Sequence, residues 1–254
     1  MNILLLTDPV GKITTDLLVI PFTQSSRKKN GTGVLGELGF ASKVLDDFMA
    51  RSDEMVVLYG STGGGAAARV ALLGLGEGRK VGGYRDAGAL VAAKAGELRL
   101  EGVAVDFSAL KSFAASAKCP AQDLVAAFVE GCFSGSYRFE RLKSGKLEKK
   151  KDDRRKKKDL ARLVLRTGPD QLAALRQGVD LGSVTGSCQN MARDLVNLPG
   201  NMLQAEDISR VAAESGARGG YDIRVFGKEE IESMGMGGLL AVNRGSAKDR
   251  KSVV

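Results

Sequence analysis

The 254-residue sequence has no histidine and no tryptophan, and it holds only 5 prolines and 3 cysteines. Without histidine there is no Ser-His-Asp or Cys-His hydrolase, no HExxH zincin and no His-ligated zinc site of any spacing. Catalysis in such a chain would have to run on carboxylates, lysine, cysteine or a cofactor. The odd set Cys119, Cys132 and Cys188, with no CxxC spacing, argues against a disulfide framework and predicts buried, reduced thiols. Long hydrophobic runs are also missing. The apolar stretch at 1–6 has no basic leader and is cut by Asp8 and Pro9, too short for a signal-peptide core or a membrane span. A cytoplasmic protein with no membrane partner is expected.

What is present is an ordinary globular balance, with 43% hydrophobic and 27% charged residues, in a length suited to one large or two modest domains. The net charge of +8 is not spread evenly. Residues 138–162 carry 13 Lys and Arg against 5 Asp and Glu, so this run alone accounts for the whole excess. It contains Asp152, Asp153 and Asp159 and no aromatic residue after Phe139 on which a base could stack. A solvated loop is the favoured reading, and weak nucleic-acid binding through phosphates the lesser one.

Short apolar runs at 3–6, 17–22, 55–59, 70–75 and 103–107 read as strands, nearly continuous in hydrophobicity as doubly covered strands are. Helical spacing links Ala87, Leu90, Val91, Lys94 and Leu98, with Lys94 at the rim, and again Leu124, Phe128 and Cys132. Strands alternating with helices predict an α/β layered domain with a mostly parallel or mixed sheet. Runs at 137–142 and 160–166 read as a hairpin with the basic run at its tip. Thr167-Gly168-Pro169-Asp170 then starts a helix that extends to about Val196, its Gly182 and Gly186 allowing close approach of another element. Asn197-Leu198-Pro199-Gly200-Asn201 ends it. Beyond lie an expected helix at 206–217, a strand at 221–226, a short helix at 228–234 and a strand at 237–243.

Few side chains suggest chemistry. Gly74-Leu75-Gly76-Glu77-Gly78 follows a strand but has GxGxG rather than GxGxxG spacing and no evident helix directly after it. Gly63-Gly64-Gly65 falls at an expected hairpin tip, and Gly145-Lys146 is followed by Leu147, so it is no Walker A. Structural turns are the favoured reading of these glycines. Asp46-Asp47 is an exposed pair, and Glu229, Glu230 and Glu232 suit a solvated first helical turn.

Two stretches carry a family pattern. Residues 192–201 (ARDLVNLPGN) resemble the segment that opens the catalytic region of leucyl (cytosol) aminopeptidases. Residues 225–231 (VFGKEEI) and 234–247 (MGMGGLLAVNRGSA) resemble the same family's next block, in the same order. Residues 15–20, 69–76 and 137–139 are similar to its N-terminal domain more loosely. The resemblance implies a two-domain hexameric metallopeptidase that removes N-terminal residues from peptides. It implies a macro-domain-like N-terminal domain with no catalytic group, and a catalytic domain holding two divalent metals, zinc or manganese, through lysine, aspartate and glutamate. Two close metals lower the pKa of a bridging water and stabilise a tetrahedral oxyanion.

The family's metal-binding lysine and aspartate lie in a KG-x-[TS]-FD stretch after the GSA block, and the sequence runs only to Lys251-Ser252-Val253-Val254. Lys248, Asp249 and Arg250 precede the strand that would follow and do not replace that stretch. No catalytic or metal-binding residue is therefore assigned, and substrate-binding residues stay unassigned. The expectation is an α/β chain with a macro-like domain at 1–167, a linker helix at 168–197 and the truncated start of an α/β catalytic domain at 198–254. It is expected to be inactive alone and to bind neither metal specifically. Peptide substrate and hexameric assembly belong to the full-length family. The alternatives are a non-catalytic α/β module for a nucleotide-type ligand or nucleic acid, and an assembly domain.

Overall fold

The computed structural model describes residues 1–60, 67–142, 160–242 and 252–253. The chain divides into two compact units, Met1–Met191 and Ala192–Val254. In the first, β1 (Asn2–Leu6), β2 (Leu18–Phe22), β3 (Met55–Tyr59), β4 (Arg69–Gly74), β5 (Gly102–Asp106) and β6 (Arg162–Arg166) form one sheet. Their order is β1-β6-β5-β2-β4-β3. All neighbours run parallel except β3, which pairs antiparallel with β4 from Met55↔Leu73 to Tyr59↔Arg69. The sheet is mixed, and the five strands read from the sequence between residues 3 and 107 are present within a residue of their expected bounds. The glycines at 63–65 lie outside the described residues.

The near-continuous hydrophobicity has a direct cause. Alternate residues of each strand point to opposite faces, and both faces are covered. Leu17, Val19, Ala71, Leu73, Val103, Val105, Leu163 and Leu165 share one core with α3 (Val81–Leu98), α4 (Leu110–Ala117) and α5 (Ala121–Ser136). Leu18, Ile20, Phe22, Val70, Leu72, Ala104 and Val164 share the other with α1 (Arg27–Glu37) and α2 (Val44–Asp47). The guanidinium of Arg27 donates to the carbonyls of Leu45 and Phe48 and ties α1 to α2. The result is a three-layer α/β/α unit.

On the first face the helices meet backbone to backbone. A Cβ on Gly131 of α5 would strike the Arg85 carbonyl of α3, and one on Gly88 would strike the Phe128 carbonyl. The long α6 (Leu172–Val196) matches the expected helix and packs on α5 through its small-residue stripe. A Cβ on Gly182 would lie 2.5 Å from the Ala126 carbonyl, and one on Gly186 would lie 2.7 Å from Phe133.

The expected hairpin between 137–142 and 160–166 is not formed. β6 runs parallel between β1 and β5, so both its edges are taken and no slot remains beside it. Residues 137–140 belong to no helix or strand, and the basic run at 143–159 lies outside the described residues. Elements between Phe22 and Met55 were not legible, because α1 is built from RKKNGTGVLGE, polar and interrupted by three glycines.

The second unit contains α7 (Ala205–Gly219), β7 (Val225–Phe226), α8 (Lys228–Ser233), α9 (Gly237–Val242) and β8 (Ser252–Val253), with β7 and β8 antiparallel. Two capping contacts fix helix starts: Gln204 N–H donates to Asp207 Oδ2 at 3.0 Å, and Gly227 N–H to Glu230 Oε2 at 3.0 Å. Glu229 and Glu230 are thus first-turn residues, as read, while Glu232 lies beyond the first turn. The strand expected at 221–226 is reduced to its last two residues. The strand expected at 237–243 is instead α9. Its apolar run GGLLAV is of strand length, yet Leu and Ala favour helix and only Val242 is β-branched, so periodicity could not decide.

Candidate functional site

The parallel strands β5, β2 and β4 end side by side, and the chain leaves them in different directions. From β2 it goes to α1 on one face; from β4 and β5 it goes to α3 and α4 on the other. Ligands of open α/β sheets bind where strand connections diverge in this way, beyond the carboxyl ends of the strands. A crevice of about 580 Å³ lies there, lined by Ser25, Glu77, Arg79, Ser116, Ala117 and Lys118. A second, of about 510 Å³, shares Glu77 and Arg79 and adds Ser52, Lys80 and Asp86.

Two loops build its floor. Residues 23–26 link β2 to α1, and 75–80 link β4 to α3. They are joined through Leu75 N–H donating to the Phe22 carbonyl at 2.8 Å and Gln24 N–H to the Gly76 carbonyl at 2.8 Å. Gly76 and Gly78 sit at φ +60 and +69, where a side chain would be strained, and a Cβ there would also meet Ser52 and Thr23 at 2.5 Å. The structural reading of the GxGxG glycines therefore holds. The expectation that no helix follows them does not: α3 begins at Val81, its start disguised by Gly82 and Gly83. Tyr84 reaches back beneath this loop, its hydroxyl 3.4 Å from the Gly78 carbonyl.

At the crevice rim Arg79 Nε lies 3.4 Å from Glu77 Oε2, both side chains well exposed. Lys118 ends α4 in the left-handed conformation, at φ 53. Beside the crevice, Asp106 at the end of β5 is buried, pairs with Arg166 at 3.0 Å and accepts from the Ser108 N–H and hydroxyl at 3.1 and 2.8 Å. Thr167 donates to the Phe107 carbonyl at 3.0 Å. These contacts clamp the ends of β5 and β6 together and engage both carboxylate oxygens of Asp106.

Neither Cys119 nor Cys132 is a thiol of lowered pKa. Burial pushes the Cys132 thiol up; burial and then the carboxylate of Asp123 push Cys119 up. Cys132 is buried as expected, Cys119 is half-buried, and Cys188 on α6 is exposed, contrary to expectation. Among the described residues no three His, Cys, Asp or Glu side chains come together as a metal site, and no helix is long and apolar enough to cross a membrane.

The pattern of the cytosol aminopeptidase family, N-terminal domain, matches residues 36–146, and that of the same family's catalytic domain matches residues 190–254. A probable cytosol aminopeptidase of Chlorobium limicola is 59% identical over 246 residues, 97% of this chain and 49% of that protein. The chain belongs to the cytosol aminopeptidase family. Another probable cytosol aminopeptidase, from Chlorobaculum tepidum, is 43% identical over 96% of this chain and 48% of its own length. The chain spans about half the length of these curated relatives.

The fold agrees with that of solved family structures. A mutant of tomato leucine aminopeptidase superposes with a TM-score of 0.71 at 19% identity, covering 98% of this chain and 49% of that one. The bottromycin maturation enzyme BotP in complex with Mn gives 0.66 at 22% identity, covering 94% and 44%. Within this cytosol aminopeptidase segment, the two motif stretches read from the sequence fall inside the match to the catalytic domain. The two crevices, in contrast, lie in the first unit, to which the sequence reading gave no catalytic group.

Proposed function

We propose that this polypeptide is the N-terminal half of a leucyl-type aminopeptidase, which removes N-terminal residues from peptides in the cytoplasm. Residues 1–167 serve as its N-terminal domain, 168–197 as the connecting helix and 198–254 as the opening of its catalytic domain. The observation that carries this reading is the ordered match to both family domains together with 59% identity over 97% of the chain. In the whole enzyme, two divalent metals, zinc or manganese, would activate water and stabilise the oxyanion. The residues here do not fit that pair. No acidic or thiol cluster forms among the described residues, and no KG-x-[TS]-FD stretch occurs in the sequence. No step of hydrolysis is therefore assigned to this chain, and it is expected to bind neither metal specifically. Assembly as a homo-oligomer, a hexamer by family resemblance, completes the reading. Nucleic-acid binding through the basic charge of residues 138–162 is weak and lost on adding salt.

The test is a chimera. This chain, extended by the portion of the Chlorobium limicola relative beyond the matched half, is assayed beside the 254-residue chain for hydrolysis of leucine amide with added Mn or Zn. The chimera hydrolyses the amide only with metal, and the 254-residue chain does not hydrolyse it. Metal-dependent turnover by the 254-residue chain alone, or a folded, metal-loaded chimera without turnover, overturns the proposal.

A further inference from the structure

We propose that the crevice beyond β5, β2 and β4 is a binding site for a small phosphate-bearing ligand, independent of the peptidase reading. Its position is the first argument. The segments that line it follow the three central parallel strands: Ser25 after β2, Glu77 and Arg79 after β4, and the end of α4 after β5. This is where strand connections reverse, and there main-chain geometry opens a cleft without disturbing the sheet.

Its chemistry is the second. Arg79 and Lys118 line it with one carboxylate, Glu77, which Arg79 already partners, and with the hydroxyls of Ser116 and of Ser25, the latter 3.1 Å from the Thr23 hydroxyl. The adjoining cavity adds Lys80 and Ser52 along with Asp86. Cations from separate segments, with hydroxyls lining the same crevice, suit an anion with several acceptor oxygens. No aromatic side chain lines either cavity, so a base or other ring would find nothing to stack on. Recognition therefore rests on the phosphate. The volume of about 580 Å³ is that of a small-molecule site.

Rigidity is the third. The loops that carry Ser25 and Arg79 are bonded to each other through Gln24 and Gly76 and held from below by buried Tyr84. The charged groups thus project from a floor that needs no ordering on binding.

The experiment titrates the 254-residue chain with pyrophosphate, ADP and adenosine by calorimetry at fixed ionic strength. Arg79→Gln and Lys118→Gln are the test variants. Lys111→Gln, at an exposed position of α4 outside the crevice, is the control for general charge. Pyrophosphate and ADP bind saturably with similar affinity, each test variant weakens both by about tenfold, and Lys111→Gln leaves them unchanged. Because Arg79 and Lys118 are exposed, all variants keep the parent's unfolding midpoint. Failure of pyrophosphate to saturate, adenosine binding as tightly as ADP, or equal weakening by Lys111→Gln overturns the proposal. None of these outcomes bears on the chimera assay.

Discussion

Tyr84 and Cys132 are protonated acids sealed in the core of the first unit. Burial raises both above their ordinary values, and the neighbouring Cys119 adds to the rise at Tyr84. An unfolded chain releases these protons near pH 8.5 for the thiol and 10 for the phenol, whereas the folded chain keeps them to higher pH. Above those values the folded state binds more protons than the unfolded one. Their contribution is thus complete below pH 8 and drains away as pH rises toward the folded pKa values. Stability measured by urea unfolding is expected to be level from pH 7 to 8, then to fall by about 1.4 kcal/mol per pH unit for each group past its unfolded pKa. Tyr84→Phe removes the phenol's share, so its stability declines less steeply above pH 10. An unchanged slope in that variant would contradict the assignment. Nothing in the sequence marked Tyr84, since a tyrosine in VGGYRD reads as a polar turn until α3 turns it under the glycine loop.

At the scale of elements, glycine carries two opposite meanings that the sequence alone does not separate. Gly131 is there because α3 passes against it, and Gly131→Ala should cost at least about 2 kcal/mol by forcing α3 and α5 apart. Gly33, in the middle of α1, has open space where a Cβ would go, so Gly33→Ala should stabilise by about 0.5–1 kcal/mol. Thermal or urea unfolding of the two variants checks the contrast, and equal effects would refute it. The glycines of α6 were legible as a packing stripe because Leu175, Val179 and Gly182 keep helical spacing around them. Those of α1 were not, because no apolar pattern surrounds them. The strands of the first unit between residues 3 and 107 were legible as double-faced runs of Val, Ile and Leu. The error at 137–142 arose because its expected partner β6 has no vacant edge, a fact set by β1 and β5, which the hairpin reading did not include.

Across the whole molecule, the two units differ in what they bury. The first encloses two apolar cores, one on each face of its sheet. In the second, Ile231 is the one fully buried large apolar side chain among the described residues, while Met202, Ile208, Tyr221, Met234, Met236, Leu239 and Val242 are exposed, Val242 to 91%. A two-strand pairing of β7 and β8 is marginal without further strands or a covered face. The candidate site follows the same division: family motifs were legible in the second unit because they are local strings, while the crevice in the first depends on three loops brought together only by sheet order. The central claim is therefore a self-supporting N-terminal domain followed by a catalytic-domain opening that lacks a core of its own. Native-state hydrogen exchange on the 254-residue chain tests it most directly. The account predicts amides of α3 and α5 opening only with global unfolding, and those of α7 and α8 exchanging at least about a thousandfold faster through local opening. Protection in α7 and α8 equal to that in α3 and α5 would contradict it.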